Sequence, residues 1–292
     1  MLLQQLVNGL TIGCVYSLVA IGYSLVFGVL RLINFSSGSV YMLGAYLMLI
    51  LYSTMNGNYV TALLISILLT GLCGFMVDFI GLRPLRARNA PRMAALISTL
   101  GIGTVIDNAI QIWVGTDTKS FPNFLDFGKF TIANAVISYT QIIIFVICVL
   151  LMTVLSVFVY KTKIGKSMRS VAQNMMCAKL MGVNVRLVIS CTFFVSSVLA
   201  CVSGALVGAY YQNIDTMMGF SVGMKTFAAA VLGGVGSLPG AMIGGLIVGM
   251  AETIGASYIS SGYRDAIAFG ILIIVLLVKP SGLLGKKSIN KM

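Results

Sequence analysis

Long, unbroken apolar stretches separated by short polar or basic pieces recur along the whole chain. A helix needs roughly 20 apolar residues to cross a hydrocarbon core. In those units the pattern predicts spans near 6–30, 35–54, 60–81, 93–114, 137–160, 187–211, 239–257 and 263–279. A shorter apolar piece lies at 224–236. The runs are continuous rather than alternating, so they predict helices and not the strands of a barrel. The expected fold class is an all-α polytopic membrane protein, one transmembrane domain over residues 1–292.

Charge orders these spans. Most of the 19 Lys and Arg residues fall at 81–92 (Arg83, Arg86, Arg88, Arg92), 161–186 (Lys161, Lys163, Lys166, Arg169, Lys179, Arg186) and 279–292 (Lys279, Lys286, Lys287, Lys291), and none of these segments contains an acid. At 115–136, Asp117 and Asp126 balance Lys119 and Lys129. The positive-inside rule therefore reads the three basic segments as cytoplasmic. Span three then runs inward, the N-terminus lies outside and Arg31 inside. Both 161–186 and the C-terminal tail are basic, so an even number of crossings must separate them. Only three full spans do so, and 224–236 must cross as a short or broken helix, which is tolerated where it packs in protein or lines a cavity. The expected count is eight or nine spans, and parity favours nine.

Composition agrees. Hydrophobic residues make up 59% and charged residues 9% of the chain, and the mean hydropathy is +1.02, whereas a soluble domain carries roughly 25% charged residues. The net charge of +12 comes mostly from those three short segments, which favours the positive-inside reading over a nucleic-acid surface. The six cysteines form no CxxC pair and there is no histidine, so no metal site and no catalytic residue is expected. The first apolar stretch has no basic residue before it and is too long for a signal h-region, so no cleavable signal peptide is expected. Glycine-rich 233–245 lacks the Lys-Ser/Thr of a phosphate loop, and Pro239 stands where a dinucleotide fingerprint needs glycine. It reads as a turn between helices. Gly204 and Gly208, Gly240 and Gly244, and Gly245 and Gly249 sit four apart, a spacing that brings helix backbones together.

Two groups of residues invite a functional reading. In 161–186, Ile164, Met168, Val171, Met175 and Ala178 recur at helical spacing, with Gly182 as the stop. This predicts an amphipathic cytoplasmic helix that rests on headgroups or inserts into a partner's groove, with Met168, Met175, Met176 and Met181 as an adaptable surface. Within the spans, Glu252, Asp107 and Asp78 are costly in lipid and are expected to face protein or water, with Asn34, Asn108 and Gln111 adding uncharged polarity.

Five blocks then carry a resemblance: GYSLVFGVLRLINFSSGSVYMLGAY (22–46), RPLRARNAPRMAALISTLG (83–101), KIGKSMRSVAQNMMCAKLMGVN (163–184), KTFAAAVLGGVGSLPGAMIGGLIVGMAE (225–252) and KPSGLLG (279–285). In this order, over nearly the whole chain, they resemble the Liv-type branched-chain amino acid permeases, the membrane subunits of ABC importers. Ser36-Ser37 stand where that family often has Ala-His, and Lys166-Ser167 where small, acidic or polar residues are common.

The resemblance implies a permease subunit in a bacterial cytoplasmic membrane, with a cytoplasmic C-terminus and no covalent chemistry. It implies a second permease, alike or different, two P-loop ATPases that hold the ATP and Mg, and an extracytoplasmic solute-binding protein. No cofactor is expected on this chain. Coupling to the ATPases is expected at Gly165, Arg169, Ala172, Asn174, Ala178 and Gly182. Asn34, Phe35, Gly38, Asn108 and Glu252 are the candidates for the translocation path. The cargo expected is Leu, Ile or Val. The alternatives are urea, amides or a monosaccharide on the same machine, an ion-coupled secondary transporter using Glu252 or Asp107, or a membrane enzyme, which no residue set supports.

Overall fold

The computed structural model describes residues 2–55, 57–88, 90–122, 128–132, 135–258, 260–279 and 281–285. Asp126 and the tail lysines Lys286, Lys287 and Lys291 lie outside the described residues. The helices are α1 (Leu2–Leu30), α2 (Ser36–Thr54), α3 (Tyr59–Met76), α4 (Arg83–Ala87), α5 (Arg92–Val114), α6 (Tyr139–Lys161), α7 (Lys163–Gln173), α8 (Met175–Leu180), α9 (Val185–Tyr211), α10 (Met218–Gly233), α11 (Leu238–Tyr258) and α12 (Arg264–Val278). A π turn, Val77–Leu82, joins α3 to α4. Among the described residues, four short strands, β1 (Lys119–Ser120), β2 (Lys129–Ile132), β3 (Ala135–Ser138) and β4 (Asn213–Ile214), pair antiparallel as β1–β4 and β2–β3.

Among the described residues, seven helical stretches are long and apolar enough to cross a membrane: α1, α2, α3 continued through α4, α5, α6, α9 and α11. Two shorter apolar helices, α10 with 16 residues and α12 with 15, complete the bundle. Fifteen residues rise about 22 Å, less than the ~30 Å hydrocarbon core. The piece expected at 224–236 is in fact continuous and starts earlier, at Met218; residues 234–236 belong to the turn. Gly219, Ser221 and Gly223 lower the hydropathy of its first turns. Two of them are small because α2 lies against them: a Cβ on Gly223 would approach Gly38 Cα to 2.9 Å. The third span also differs, since helical winding continues past 81 to Ala87 and takes Arg83 and Arg86 with it.

α1 is the buried axis, packed between α9, α10 and α11. Lipid offers no hydrophobic incentive for two apolar helices to associate, so close packing of small residues has to hold them. A Cβ on Gly13 would meet Leu246 Cα at 3.0 Å, and one on Gly249 would collide with the Gly13 backbone. The Ser17 hydroxyl donates to the Met242 carbonyl at 2.7 Å across the same seam. Gly204 lies on Tyr41 of α2, Gly244 on Ala229 of α10 and Gly240 on Gly233, so each spaced glycine pair is used inside the chain.

Contacts between loops define two ends. At one, Gln4 of α1 brackets Val136 of β3 with two hydrogen bonds of 2.9 and 2.7 Å, and β1 pairs with β4. At the other, Leu283 and Leu284 donate to the carbonyls of Leu232 and Gly233 at 2.9 and 3.0 Å, folding the C-terminal strap over the α10–α11 turn. The basic stretches around Arg83–Arg88, Lys161–Arg186 and Lys279 all fall at this second end.

Candidate functional site

At the basic end, α7 and α8 replace the single amphipathic helix expected over 161–186. Thr162 opens α7 by accepting from Gly165 N at 3.1 Å. Gly165 lies so close to the Phe158 and Val159 carbonyls that a Cβ would collide with both. Asn174 leaves the helical region at φ −152°, and its Oδ1 accepts from Met176 N at 3.0 Å and Cys177 N at 3.1 Å. It ends one helix and caps the next. Gly182 then closes α8 at φ +81°. Its N–H donates to Lys179 O at 3.1 Å and that of Val183 to Ala178 O at 3.0 Å, a Schellman pair that only glycine enters without strain.

The break rotates the apolar face. Met168, Val171 and Ala178 are buried against the bundle, while Ile164 and Met175 of the expected stripe stay exposed. With Met176, Leu180 (82% exposed) and Met181 (84%), Met175 forms an unpartnered apolar knob. Arg169 is not part of it. Its Nη2 donates to the Tyr160 carbonyl at 3.1 Å and its guanidinium lies over the Tyr160 ring at 5.3 Å, against the end of α6. Ala172 is half-buried. Five of the six positions thus shape or seat the element, and Leu180, which the sequence reading passed over, stands at its tip.

Asn34, Phe35 and Gly38 come together at the start of α2. Asn34 Oδ1 accepts from Ser36 N at 3.2 Å and Ser36 Oγ at 2.7 Å, and its Nδ2 donates to Ser37 Oγ at 3.0 Å. Phe35 packs its ring on Phe227, which also meets Tyr23. Gly38 lets α10 cross α2: a Cβ there would collide with the Gly219 carbonyl oxygen and stand 3.0 Å from Gly223 Cα.

Asn108 lies elsewhere, on the outward face of α5. Gly101, Thr104, Val105, Asn108, Ala109 and Ile112 line a shallow open groove there. Asn108 Nδ2 donates to Thr104 O at 2.7 Å and Thr104 Oγ1 to Leu100 O at 3.0 Å, back-bonds that leave the rest of the amide outward. Every exposed residue of α3 and the π turn from Leu64 to Ile80 is apolar, by contrast. An exposed asparagine flanked by glycine and alanine is ill suited to lipid and well suited to water or to another helix. Asp107, one position earlier, turns inward toward Ser39 of α2.

Glu252 is held in a charge cluster between α10, α11 and α12. Lys225 Nζ lies 3.0 Å from Glu252 Oε1 and 2.7 Å from Asp265 Oδ1. Tyr16 of α1 stands beside Glu252. Lys225 is thus the cation that answers both carboxylates among the described residues, while Arg264 lies beside Tyr211 of α9. Glu252 Oε2 and Arg264 Nε are buried without a hydrogen-bond partner among the described residues. The sequence signal for Lys225, a lone cation in the apolar run 218–233, was available but lost in a block read for its glycines. Among the described residues no three His, Cys, Asp or Glu side chains gather as a metal site.

Comparison with known proteins completes the picture. Residues 5–276 match the sequence profile of a family described as branched-chain amino acid transport system / permease component. The chain is 40% identical to the high-affinity branched-chain amino acid transport system permease protein BraD of Pseudomonas aeruginosa, over 99% of this chain and 97% of that protein. It is 38% identical to LivH of Escherichia coli K12, with the same coverage of both. A more distant relative is the autoinducer 2 import system permease protein LsrC of Enterobacter, 25% identical over 64% of this chain and 55% of that one.

Proposed function

Because this chain belongs to the branched-chain amino acid transport permease family, we propose that it is the membrane subunit through which an ATP-driven importer passes leucine, isoleucine and valine. The observation that carries this reading is the 38–40% identity, over nearly the full length, to permeases named for that cargo. The likeness to an autoinducer permease stops at about two thirds of the chain, which supports the amino-acid cargo over a different small polar solute.

The basic end faces the cytoplasm, the N-terminus lies outside, and the apolar knob of α8 seats in a groove on a P-loop ATPase. Two such ATPases carry the ATP and Mg, and a solute-binding protein delivers cargo at the opposite end. The outward face of α5, with Thr104 and Asn108, forms one wall of the path, and a second permease, alike or different, supplies the other. Asn34, Phe35 and Gly38 set the crossing of α2 and α10 behind that wall, and Glu252 stabilises the α10–α11–α12 corner. ATP binding draws the ATPases together, the knob moves with them, and helices shift as rigid units between outward- and inward-open states. The pairing of Glu252 with Lys225 speaks against an ion-coupled carrier, since a proton relay needs an acid free to load and unload.

The test is purification of the native complex in mild detergent, followed by uptake of labelled leucine into proteoliposomes with the binding protein outside and ATP inside. The wild-type chain should retain P-loop ATPases and require ATP. Leu180→Asp should release the ATPases while the chain remains in the membrane, and Asn108→Leu should keep them but lower flux. Leucine uptake by the isolated chain without ATP would refute the reading.

A further inference from the structure

Between α7–α8 and the outward face of α5 lies the end of α3, in an apolar cluster shared with α9. α3 does not stop at the basic end but widens into the π turn Val77–Leu82, closed by the N–H of Arg83 on the Asp78 carbonyl. A π turn makes poor use of its hydrogen bonds and persists where neighbouring groups hold it. Here the holding group is the Asp78 carboxylate, which is buried. Its Oδ1 pairs with Arg86 Nη2 and its Oδ2 accepts from the Ser190 hydroxyl of α9 at 2.6 Å. Arg86 is steadied in turn by donating from Nε to Leu82 O at 3.3 Å, and Arg83 lies over the Phe79 ring at 5.1 Å.

This clamped turn sits inside one apolar cluster. Val77 and Leu82 pack there with Met168 of α7, Ala178 of α8, Ala95 of α5 and Ile189 of α9. Gly81 faces α5 directly, so close that a Cβ would collide with Ile102 Cδ1. α9 packs against α7, α8 and the π turn, and the turn packs in turn against α5; packed interiors yield little, so a displacement of α7–α8 passes through α9 to the turn and the start of α5.

We infer that Asp78 is a positioning residue for transport: by tying the π turn to both Arg86 and Ser190, it makes the turn a rigid link that carries motion of the ATPase-docking helices to the α5 wall. This rests on the assignment of α7–α8 as the dock and α5 as the wall. Asp78 is buried and bonded to protein on both carboxylate oxygens, so it acts through its neighbours. Its loss should loosen the link, so that ATP is consumed with less cargo moved.

The experiment is the assembled importer in proteoliposomes, with three quantities measured on each variant: complex recovered, ATP hydrolysed and leucine taken up per ATP. Asp78→Asn keeps the size and the hydrogen-bonding oxygen but removes the charge. It should give wild-type recovery, ATP hydrolysis at least at the wild-type rate, and uptake per ATP lower by about fivefold or more. Arg86→Lys, which keeps the cation, should retain most of the wild-type ratio. Ser190→Ala removes a single hydroxyl, should fall between them, and decides the matter by the same ratio if Asp78→Asn does not accumulate. An unchanged ratio in Asp78→Asn, or an uptake loss matched by an equal loss of assembled complex, would overturn the inference. If the wild-type chain itself moves leucine without ATP, the proposed function falls first; an unchanged ratio on an intact, ATP-dependent complex removes this inference alone.

Discussion

Lys225→Met probes the charge cluster around Glu252. Lys225 is 7% exposed and Glu252 3%, and the Nζ contacts both Glu252 Oε1 at 3.0 Å and Asp265 Oδ1 at 2.7 Å. Methionine fills the same volume and removes only the cation. The Glu252 carboxylate, already short of a partner on Oε2, then stays buried without its counter-ion, and breaking one side of a buried pair costs about 3–5 kcal/mol. The contact to Asp265 adds little, because that carboxylate is 60% exposed and a pair so open to solvent is worth at most about 1 kcal/mol. Glu252→Gln is milder, about 1 kcal/mol, since the amide oxygen still accepts from Lys225 and Asp265 keeps its cation. The double variant Lys225→Met, Glu252→Gln removes the stranded charge and should recover much of the loss of Lys225→Met alone, a coupling opposite in sign to additivity. The assay is the fraction of monodisperse protein left after heating in mild detergent, with midpoints compared across wild type, both single variants and the double. A Lys225→Met midpoint equal to that of wild type would refute the energetic reasoning, as would a double variant less stable than Lys225→Met.

Three further substitutions use the same heating assay, with Gly101→Ala on α5 as the control. Gly38→Val inserts a branched side chain where even a Cβ meets the Gly219 carbonyl and should cost at least about 1–3 kcal/mol, whereas Gly101→Ala, with nothing within 4 Å of a Cβ, should leave the midpoint unmoved. Asn34→Ala removes the oxygen that accepts from Ser36 N and Oγ and should cost about 0.5–1.5 kcal/mol; an unmoved midpoint would refute that role.

Much of this protein was written in one-dimensional pattern. Apolar run lengths and the grouping of lysine and arginine were enough for the class of fold, the order of the long helices and the end at which the basic segments gather, because lipid imposes one rule on every residue of a span. The helix-ending roles of Asn174 and Gly182 are equally local: a capping side chain and a residue at positive φ act within four positions of themselves. The short helix at 218–233 was legible only as a deficit, since the glycines that lower its hydropathy are there for a neighbour distant in sequence.

Tertiary structure alone decided which polar residues share a site. Asn34, Asn108 and Glu252 look alike as polar interruptions of apolar runs, yet one ties down the turn before a helix, one lies on an outward groove and one answers a lysine 27 positions earlier. Whether Met175 or Met168 faces outward turned on a single break at Asn174, which no periodicity carried across it can show. The physical reason is one of range. Transfer to lipid and helix capping are paid residue by residue and leave their mark in sequence, whereas an ion pair, a glycine seam or a π turn held by Ser190 exists only once several helices have been brought side by side.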